Sequence, residues 1–263
     1  MSSLLFKMGF YMHSVEVTSQ HKSETQSKYY SMLLVMFSST WLMSVIVSVK
    51  IVYFFGITLT GGFIIFPLTA ALNSAIADVY GYKGARQAIW CGVMVNLTYL
   101  AFINIVNFIP SSPDWVLENE FKAILVPQTR IIIASLIAFL FSGFLNSYLM
   151  SKFKIRGQSL LRRILFSSVI AITFDLSIYF LIGFAGVIDL NILKTLFLFA
   201  YIKKILFEVL LLPVIWILID KIKVKEGFEI YDMNTKFTPF SLNNVYSLSD
   251  YKIIKDKSKF VSA

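Results

Sequence analysis

Four charged side chains lie inside otherwise apolar segments of this chain: Asp175, Lys203, Lys204 and Glu208. A charge at the centre of a bilayer costs about 3 kcal/mol on insertion scales, so such residues are functional candidates by default. Asp175 lies about 12 residues into its segment, roughly 18 Å along a helix, and the other three charges reach a similar depth from the opposite side. We therefore expect Asp175 and one of the two lysines to meet in a central cavity.

Helical spacing separates the two lysines. Tyr201, Lys204 and Glu208 follow an i, i+3, i+7 pattern and share one face, whereas Lys203 points about 100° away. A purely structural ion pair remains an alternative, either between Lys204 and Glu208 or between a lysine and Asp175.

Further polar residues lie in other apolar segments. Asn96, Asn104 and Asn107 fall on one arc of about 80° of a helix. A buried Asn must hydrogen-bond to another helix or to a ligand, and we favour the helix contact while keeping Asn96 as a ligand candidate. Small or polar residues also recur every four positions, which is typical of close helix packing. These stripes are Thr40, Ser44 and Ser48; Ala134, Ala138, Ser142 and Asn146; Ser167, Ala171, Asp175 and Tyr179.

The composition identifies the elements that must position these residues. The 263 residues are 57% hydrophobic and 15% charged, and the mean hydropathy is +0.73. An average soluble domain is about 45–50% apolar and about 25% charged, so an ordinary soluble enzyme is excluded. About 20 apolar residues cross a bilayer as a helix. The sequence predicts an all-α membrane protein, a bundle of six transmembrane helices at 29–49, 62–80, 87–109, 130–151, 162–184 and 195–220.

The distribution of positive charge predicts the orientation. Thirteen Lys and Arg flank one side of the six predicted spans and four flank the other. The positive-inside rule then places both termini in the cytoplasm, and a five-span chain would break this alternation. The net charge of +9 is explained by topology, so we expect no nucleic-acid partner.

The sequence lacks the residues that several kinds of chemistry require. Cys91 is the only cysteine, and the two histidines, His13 and His21, lie in the polar N-terminal segment. An intramolecular disulfide and a metal site built from Cys pairs are therefore excluded, and we expect neither a metal nor another cofactor. A membrane enzyme is the least favoured class, because no Cys/His pair and no convincing Ser/His/Asp set is present.

The predicted domain organisation has three parts. Residues 1–28 form a polar cytoplasmic segment without signal-peptide character, residues 29–220 the transport domain, and residues 221–263 a mobile polar tail. Residues 50–61 are apolar but contain Gly56, and we expect either a re-entrant or extracellular cap or a loop in the membrane interface. Residues 110–129 predict an ordered outer cap with an interfacial Trp115.

A cavity lined by carboxylates, Lys, Asn and aromatic residues suits a small planar polar ligand. A heterocycle can stack on Phe174, Tyr179 or Tyr201, and a cationic one gains cation–π attraction. A carboxylate such as Asp175 can accept two N–H donors from a guanine-like edge. Composition by itself indicates only a small-solute transporter.

One segment carries a more specific signal. The stretch FPLTAALNSAIADVYGYK at 66–83 resembles the signature of the queuosine precursor transporter family, also called the vitamin uptake transporter family. The resemblance extends over about residues 30–220. It continues through Ala85-Arg86, Ile89-Trp90, Arg130, Ala134-Ser135, Ala138, Asp175, Gly183-Phe184-Ala185-Gly186, Lys203/Lys204, Glu208 and Pro213.

The resemblance implies a six-helix, multi-pass importer in the cell inner membrane. Its substrates would be 7-deazaguanine bases such as preQ0, preQ1 or queuine, which feed tRNA modification. The site residues carried over by resemblance are Asp78, Arg130, Asp175, Lys203 or Lys204, and Glu208. Asn96, Tyr179 and Tyr201 complete the predicted substrate-binding set. Ser74 and Asn146 depart from the family, which often has acidic residues at these two positions, so the choice among deazapurines stays open.

Two alternatives from neighbouring classes remain. The chain could be the substrate-capture subunit of a vitamin-type importer that needs a separate energising complex, or a transporter of another small heterocycle. The expected partners are a nucleobase and the lipid bilayer. The oligomeric state stays open, with a homo-oligomer among the alternatives.

Overall fold

In the computed structural model, the apolar runs of the sequence become long helices. The structure describes residues 27–54, 57–125, 128–187, 189–241 and 246–254. The helices are α1 (Tyr30–Val47), α2 (Gly62–Phe108), α3 (Glu118–Leu125), α4 (Gln128–Ile155), α5 (Leu160–Phe184) and α6 (Leu190–Glu226). The strands form two antiparallel pairs: β1 (Ile51–Phe54) with β2 (Ile57–Thr60), and β3 (Phe228–Ile230) with β4 (Tyr251–Ile253).

Four helical runs among the described residues are long and apolar enough to cross a membrane: α1, α2, Glu118–Ile155 and α5. The prediction of a helical, multi-pass membrane protein is therefore confirmed. These four runs do not reproduce the six expected spans one by one. α2 covers both the second and the third expected span. α6 is not among the four runs, and it carries Lys203, Lys204 and Glu208 within its apolar part.

Gly81 divides α2 into two helices that run in opposite directions. Its backbone has φ 69° and ψ −176°, which is not helical. At the N-terminal end of α1, the ring of Tyr30 contacts Tyr80, and its hydroxyl donates to the carbonyl of Gly84. At the opposite end of α1, Ser44 donates to the carbonyl of Gly62. The first half of α2 is therefore antiparallel to α1, and the chain turns back at Gly81.

Small residues permit the closest helix contacts, as the four-residue stripes predict. A Cβ placed on Gly62 would lie 1.9 Å from the Ser48 hydroxyl and 2.3 Å from the Ser44 carbonyl oxygen. Stripe residues of α4 and α5 also meet, since the Ser142 hydroxyl donates to Asp175 at 3.2 Å. The α1 stripe is therefore used for packing within the chain.

The segment 50–61 is a strand pair rather than an irregular loop. Ile51 pairs with Thr60 and Phe54 with Ile57, while residues 55 and 56 lie outside the described residues. The expected outer cap contains the short helix α3, and the Trp115 ring packs on Phe121 with 5.5 Å between centroids. The all-α description is thus wrong in detail, because two short strand pairs accompany the helices.

The described part of the C-terminal segment is folded against the helices. β3 follows α6 after Gly227, and β4 pairs with it in the register Phe228 to Ile253. The Arg86 guanidinium donates to the Thr238 carbonyl at 2.9 Å, and the Trp90 indole donates to the Pro239 carbonyl at 2.8 Å. The expectation of a mobile tail is wrong for these residues. The last residues, 255–263, and the N-terminal residues 1–26 lie outside the described part.

Candidate functional site

A cavity opens between the first half of α2 and helices α4, α5 and α6. It is lined by Phe63, Phe66, Pro67, Ala70, Asn73, Phe139, Ser142, Gly143, Asn146, Ser168, Ala171, Ile172, Asp175, Lys204, Phe207 and Glu208. Its volume for the centre of a water-sized sphere is about 50 Å³. This is room for about four waters at ~10–15 Å³ each, so the cavity is narrow.

An ion pair between α5 and α6 lies in this cavity. The Lys204 ammonium contacts Asp175 Oδ2 at 2.6 Å and lies 3.9 Å from the centroid of the Phe66 ring. The Ser142 hydroxyl donates to the other oxygen, Oδ1, at 3.2 Å. Asp175 is 7% exposed, so its charge is compensated by a close cation and a hydrogen bond. The expected meeting of Asp175 with a lysine is therefore observed, and the lysine is Lys204.

Glu208 lines the same cavity, and no ion pair joins it to a cation of the described lining. It lies one turn beyond Lys204 and is 4% exposed. Ser168 is its hydrogen-bond partner, and its second oxygen, Oε1, has no hydrogen-bond partner among the described residues. The alternative of a Lys204–Glu208 ion pair along α6 is not what the structure contains, because Lys204 binds Asp175.

Amide and hydroxyl groups complete the polar lining. Asn73 reaches the cavity from α2, and its Oδ1 has no hydrogen-bond partner among the described residues. The Asn146 amide donates to the Ser74 hydroxyl at 3.2 Å. The two positions at which the family resemblance led us to expect acidic residues are therefore direct partners. They form a neutral pair of an amide and a hydroxyl.

The aromatic lining differs from the expected one. Phe63 and Phe207 meet edge to face with centroids 4.7 Å apart, and Phe66 and Phe139 meet at 6.2 Å. None of these four residues was among the ligand contacts that we expected from the sequence. A signal was present, because Phe66, Ala70 and Asn73 follow the spacing of one helical face within the family-like stretch.

The three aromatic residues that we expected to stack on a ligand lie elsewhere. Phe174 is 52% exposed on the outer surface of α5. Tyr179 packs edge to face against Phe180 and Phe184, and Tyr201 stacks on Phe197 and hydrogen-bonds with Thr173. The expected face shared by Tyr201, Lys204 and Glu208 therefore brings only the last two into the cavity.

Asp78 belongs to a separate group of buried charges near Gly81. Its two oxygens contact Arg163 at 2.9 Å and Lys223 at 2.5 Å. Lys223 and Lys154 both contact Glu229 of β3, at 2.8 and 3.1 Å. These five residues, which we call the buried ion cluster, join α2, α4, α5, α6 and β3. Asp78 does not line the cavity, so its contacts are those of a helix-packing residue.

The buried ion cluster controls the ionisation of Glu229. Burial opposes its negative charge, but the charges of Lys154 and Lys223 outweigh this effect and hold its pKa at about 2. Lys154 also donates to two backbone carbonyls, those of Asp78 and Ile230. The cluster therefore ties the C-terminal segment to the helices through ion pairs and hydrogen bonds.

Arg130 and Asn96 lie away from the cavity lining. The Arg130 side chain is exposed at the start of α4 and donates to the carbonyls of Ile182 and Ala185, at the C-terminal end of α5. Such contacts satisfy carbonyls that a helix end leaves without partners. The Asn96 amide donates to the carbonyl of Gly92 on its own helix. Lys203 is half-buried and is not among the cavity-lining residues.

The described residues contain no group of three or more His, Cys, Asp or Glu side chains that could hold a metal ion. The cavity instead combines a compensated carboxylate, an uncompensated carboxyl group, two amides and four phenyl rings. Such a site can bind a small flat molecule, with hydrogen-bonding groups at its edge and rings against its faces.

Comparisons with known proteins identify the family of this chain. The family described as "Putative vitamin uptake transporter" matches residues 60–218, which contain every residue that lines the cavity. A "Probable queuosine precursor transporter" from Bacillus subtilis (strain 168) is 28% identical over 172 residues, covering 63% of this chain and 73% of that protein. No solved structure matches this chain. The resemblance found in the sequence is thereby confirmed, and this chain belongs to the vitamin uptake transporter family.

Proposed function

We propose that this transporter imports a queuosine precursor, a 7-deazaguanine base such as preQ0, preQ1 or queuine, for tRNA modification. The observation that carries the proposal is the Asp175–Lys204 pair inside a cavity lined by phenyl rings and amides. The printed name of the Bacillus subtilis relative supports the same substrate class.

The edge of a 7-deazaguanine offers adjacent N–H donors beside a carbonyl oxygen. Asp175 accepts the N–H donors, and Phe66 and Phe207 pack against the ring faces. Asn73, whose side-chain oxygen has no partner among the described residues, accepts a further donor. The narrow cavity requires the phenyl rings to rotate when the bicyclic base enters. We assign no contact with the base to the other predicted site residues, because the described cavity lining does not include Asp78, Asn96, Arg130, Tyr179, Tyr201 or Lys203.

The proposal includes a topology. Six spans result if the two halves of α2 cross separately and α6 crosses with its charges facing the cavity. The reversal at Gly81 supports the first condition, and the lining positions of Lys204 and Glu208 support the second. The positive-inside distribution then places both termini, including residues 1–28 and 221–263, in the cytoplasm of a cell whose inner membrane holds residues 29–220.

Ligand-induced stabilisation of the purified protein in detergent tests the substrate class. A ligand that binds only the folded state stabilises it by about 2.7 kcal/mol at a hundredfold excess over Kd. We expect preQ0, preQ1 or queuine to raise the unfolding midpoint, and Asp175→Asn to abolish the shift. Asp114→Asn, in an exposed loop, is the matched control and should keep it. A folded wild type that responds to no deazaguanine would contradict the proposal.

Uptake by proteoliposomes that contain only this chain separates an autonomous transporter from a capture subunit. A small-residue stripe such as that of α1 would fit a capture subunit if it packed against another protein. In this structure Ser44 and Ser48 pack on Gly62 within the chain, and this contact accounts for that stripe. We therefore expect accumulation of the base without an ATPase partner.

A further inference from the structure

Glu208 is a buried carboxyl group of the cavity whose charge, if it were ionised, the described lining would not compensate. It is 4% exposed, and one of its oxygens has no hydrogen-bond partner among the described residues. Of the described cavity-lining groups that titrate, the other two are Asp175 on α5 and Lys204 on α6. α2 and α4 contribute only neutral groups to the lining, namely amides, a hydroxyl and apolar side chains.

Lys204, the one cation among the described lining residues, forms an ion pair with Asp175. Lys204 contacts Asp175 at 2.6 Å and lies over the Phe66 ring at 3.9 Å. An ionised Glu208 would therefore be a buried anion that no cation of the described cavity lining pairs with. A buried carboxyl group in such surroundings takes up a proton rather than carry the cost of an uncompensated charge.

We propose that Glu208 is a protonated carboxylic acid that donates a hydrogen bond to the ligand. A protonated carboxyl has one O–H donor, and Oε1 of this cavity-lining residue has no hydrogen-bond partner among the described residues. Asp175 and Glu208 then form an acceptor and a donor in one site. This pair recognises a flat heterocycle that carries N–H donors beside a carbonyl oxygen. The inference rests on the proposed function and identifies Glu208 as the group that binds the carbonyl oxygen.

Infrared spectroscopy tests the protonation state without any ligand. Wild-type protein in detergent near pH 7 should show the C=O stretch of a buried carboxylic acid, and this band should vanish in Glu208→Gln. Glu120→Gln, on the exposed α3, is the matched control and should retain the band. Failure of the band to change in Glu208→Gln would overturn the inference, and this result does not depend on which substrate the protein binds.

Substitutions that separate charge from hydrogen-bond donation test the role in binding. Gln keeps an N–H donor and is neutral at every pH, whereas Leu keeps the approximate volume and has no donor. We expect Glu208→Gln to bind preQ0 within about twofold of wild type at low pH, and Glu208→Leu to bind about tenfold more weakly. Glu208→Gln binding as weakly as Glu208→Leu would overturn the inference.

The pH dependence of binding gives a second readout. Because the donor is lost when Glu208 ionises, wild-type affinity should fall relative to Glu208→Gln as the pH is raised above neutrality. The Gln variant also corrects for ionisation of the base. A ratio that does not fall would overturn the inference. Absence of preQ0 binding to folded wild type at every pH would instead overturn the proposed function.

Discussion

At the residue scale, the ion pair with Lys204 determines how Asp175 can accept hydrogen bonds from a ligand. The ammonium at 2.6 Å compensates the negative charge of a carboxylate that is 7% exposed. Only the ionised form can accept two N–H donors with both oxygens. Without the cation, a buried carboxyl group takes up a proton. Lys204 therefore has a positioning and charge-balancing role for a ligand that binds through Asp175.

This role predicts different outcomes for the two neighbouring lysines. Lys204→Met should weaken deazaguanine binding by at least about tenfold, since the loss of a charge-assisted hydrogen bond costs about 1.5–3 kcal/mol. Lys203→Met, outside the cavity lining, should change binding by less than about threefold. Ligand titrations of the two purified variants provide the measurement. Equal losses in both variants would show that the choice of Lys204 is wrong.

At the element scale, one glycine joins the two halves of α2. Gly81 combines a positive φ of 69° with close neighbours, because an added Cβ would lie 2.6 Å from the Tyr246 hydroxyl and 3.0 Å from Asp232. These same side chains bind the freed backbone amides. Asp232 accepts from the N–H of Tyr82 at 2.9 Å, and the Tyr246 hydroxyl accepts from the N–H of Lys83 at 2.7 Å. The C-terminal segment thus caps the helix that begins after the turn.

Gly81→Ala should therefore destabilise the protein for two reasons, backbone strain and steric overlap. The strain alone costs about 1–2 kcal/mol in the left-handed region. Gly157→Ala is the comparison at a positive φ without steric overlap, because Gly157 has φ 72° and no atom within 4 Å of an added Cβ. We expect Gly81→Ala to lower the unfolding midpoint clearly more than Gly157→Ala. Equal shifts would contradict the close packing of Tyr246 and Asp232 at the turn.

At the scale of the whole molecule, two polar centres lie at different places in the bundle. The cavity contains three titratable side chains, and the buried ion cluster near Gly81 contains five ionic groups. Breaking a buried ion pair by removing one partner costs about 3–5 kcal/mol. Asp78, which the family resemblance placed among the substrate-binding candidates, thus has contacts that stabilise the fold. Its position does not bring it to the cavity lining.

The proposed orientation can be checked with single cysteines, because Cys91 is the one native cysteine. In a Cys91→Ser background, Ser112→Cys and Ser159→Cys place thiols at exposed positions in the loops before α3 and before α5. In intact cells, a membrane-impermeant maleimide should label the cysteine at 112 and not the one at 159. Permeabilised cells supply the control, since both cysteines should then react. The opposite labelling pattern would show that the proposed orientation is wrong.

The sequence by itself determined which segments are apolar, which charges they contain and how deep those charges lie. Depth follows from counting residues along a helix, so the meeting of Asp175 with a lysine of α6 was predictable. The spacing of Lys204 and Glu208 also placed them on one face. The family-like stretch at 66–83 further identified the transporter class.

Only the tertiary structure decided which side chains share the cavity. The direction in which a helix face points depends on its neighbours, so Phe66 and Phe207 line the site while Tyr179 and Tyr201 do not. The contact with Asp175 likewise shows that Lys204 is the lysine of the site. The fold of the C-terminal segment could not be predicted, because Glu229 and Asp232 find their partners in helices far away along the chain. Contacts between distant segments leave no periodic signal in a single sequence.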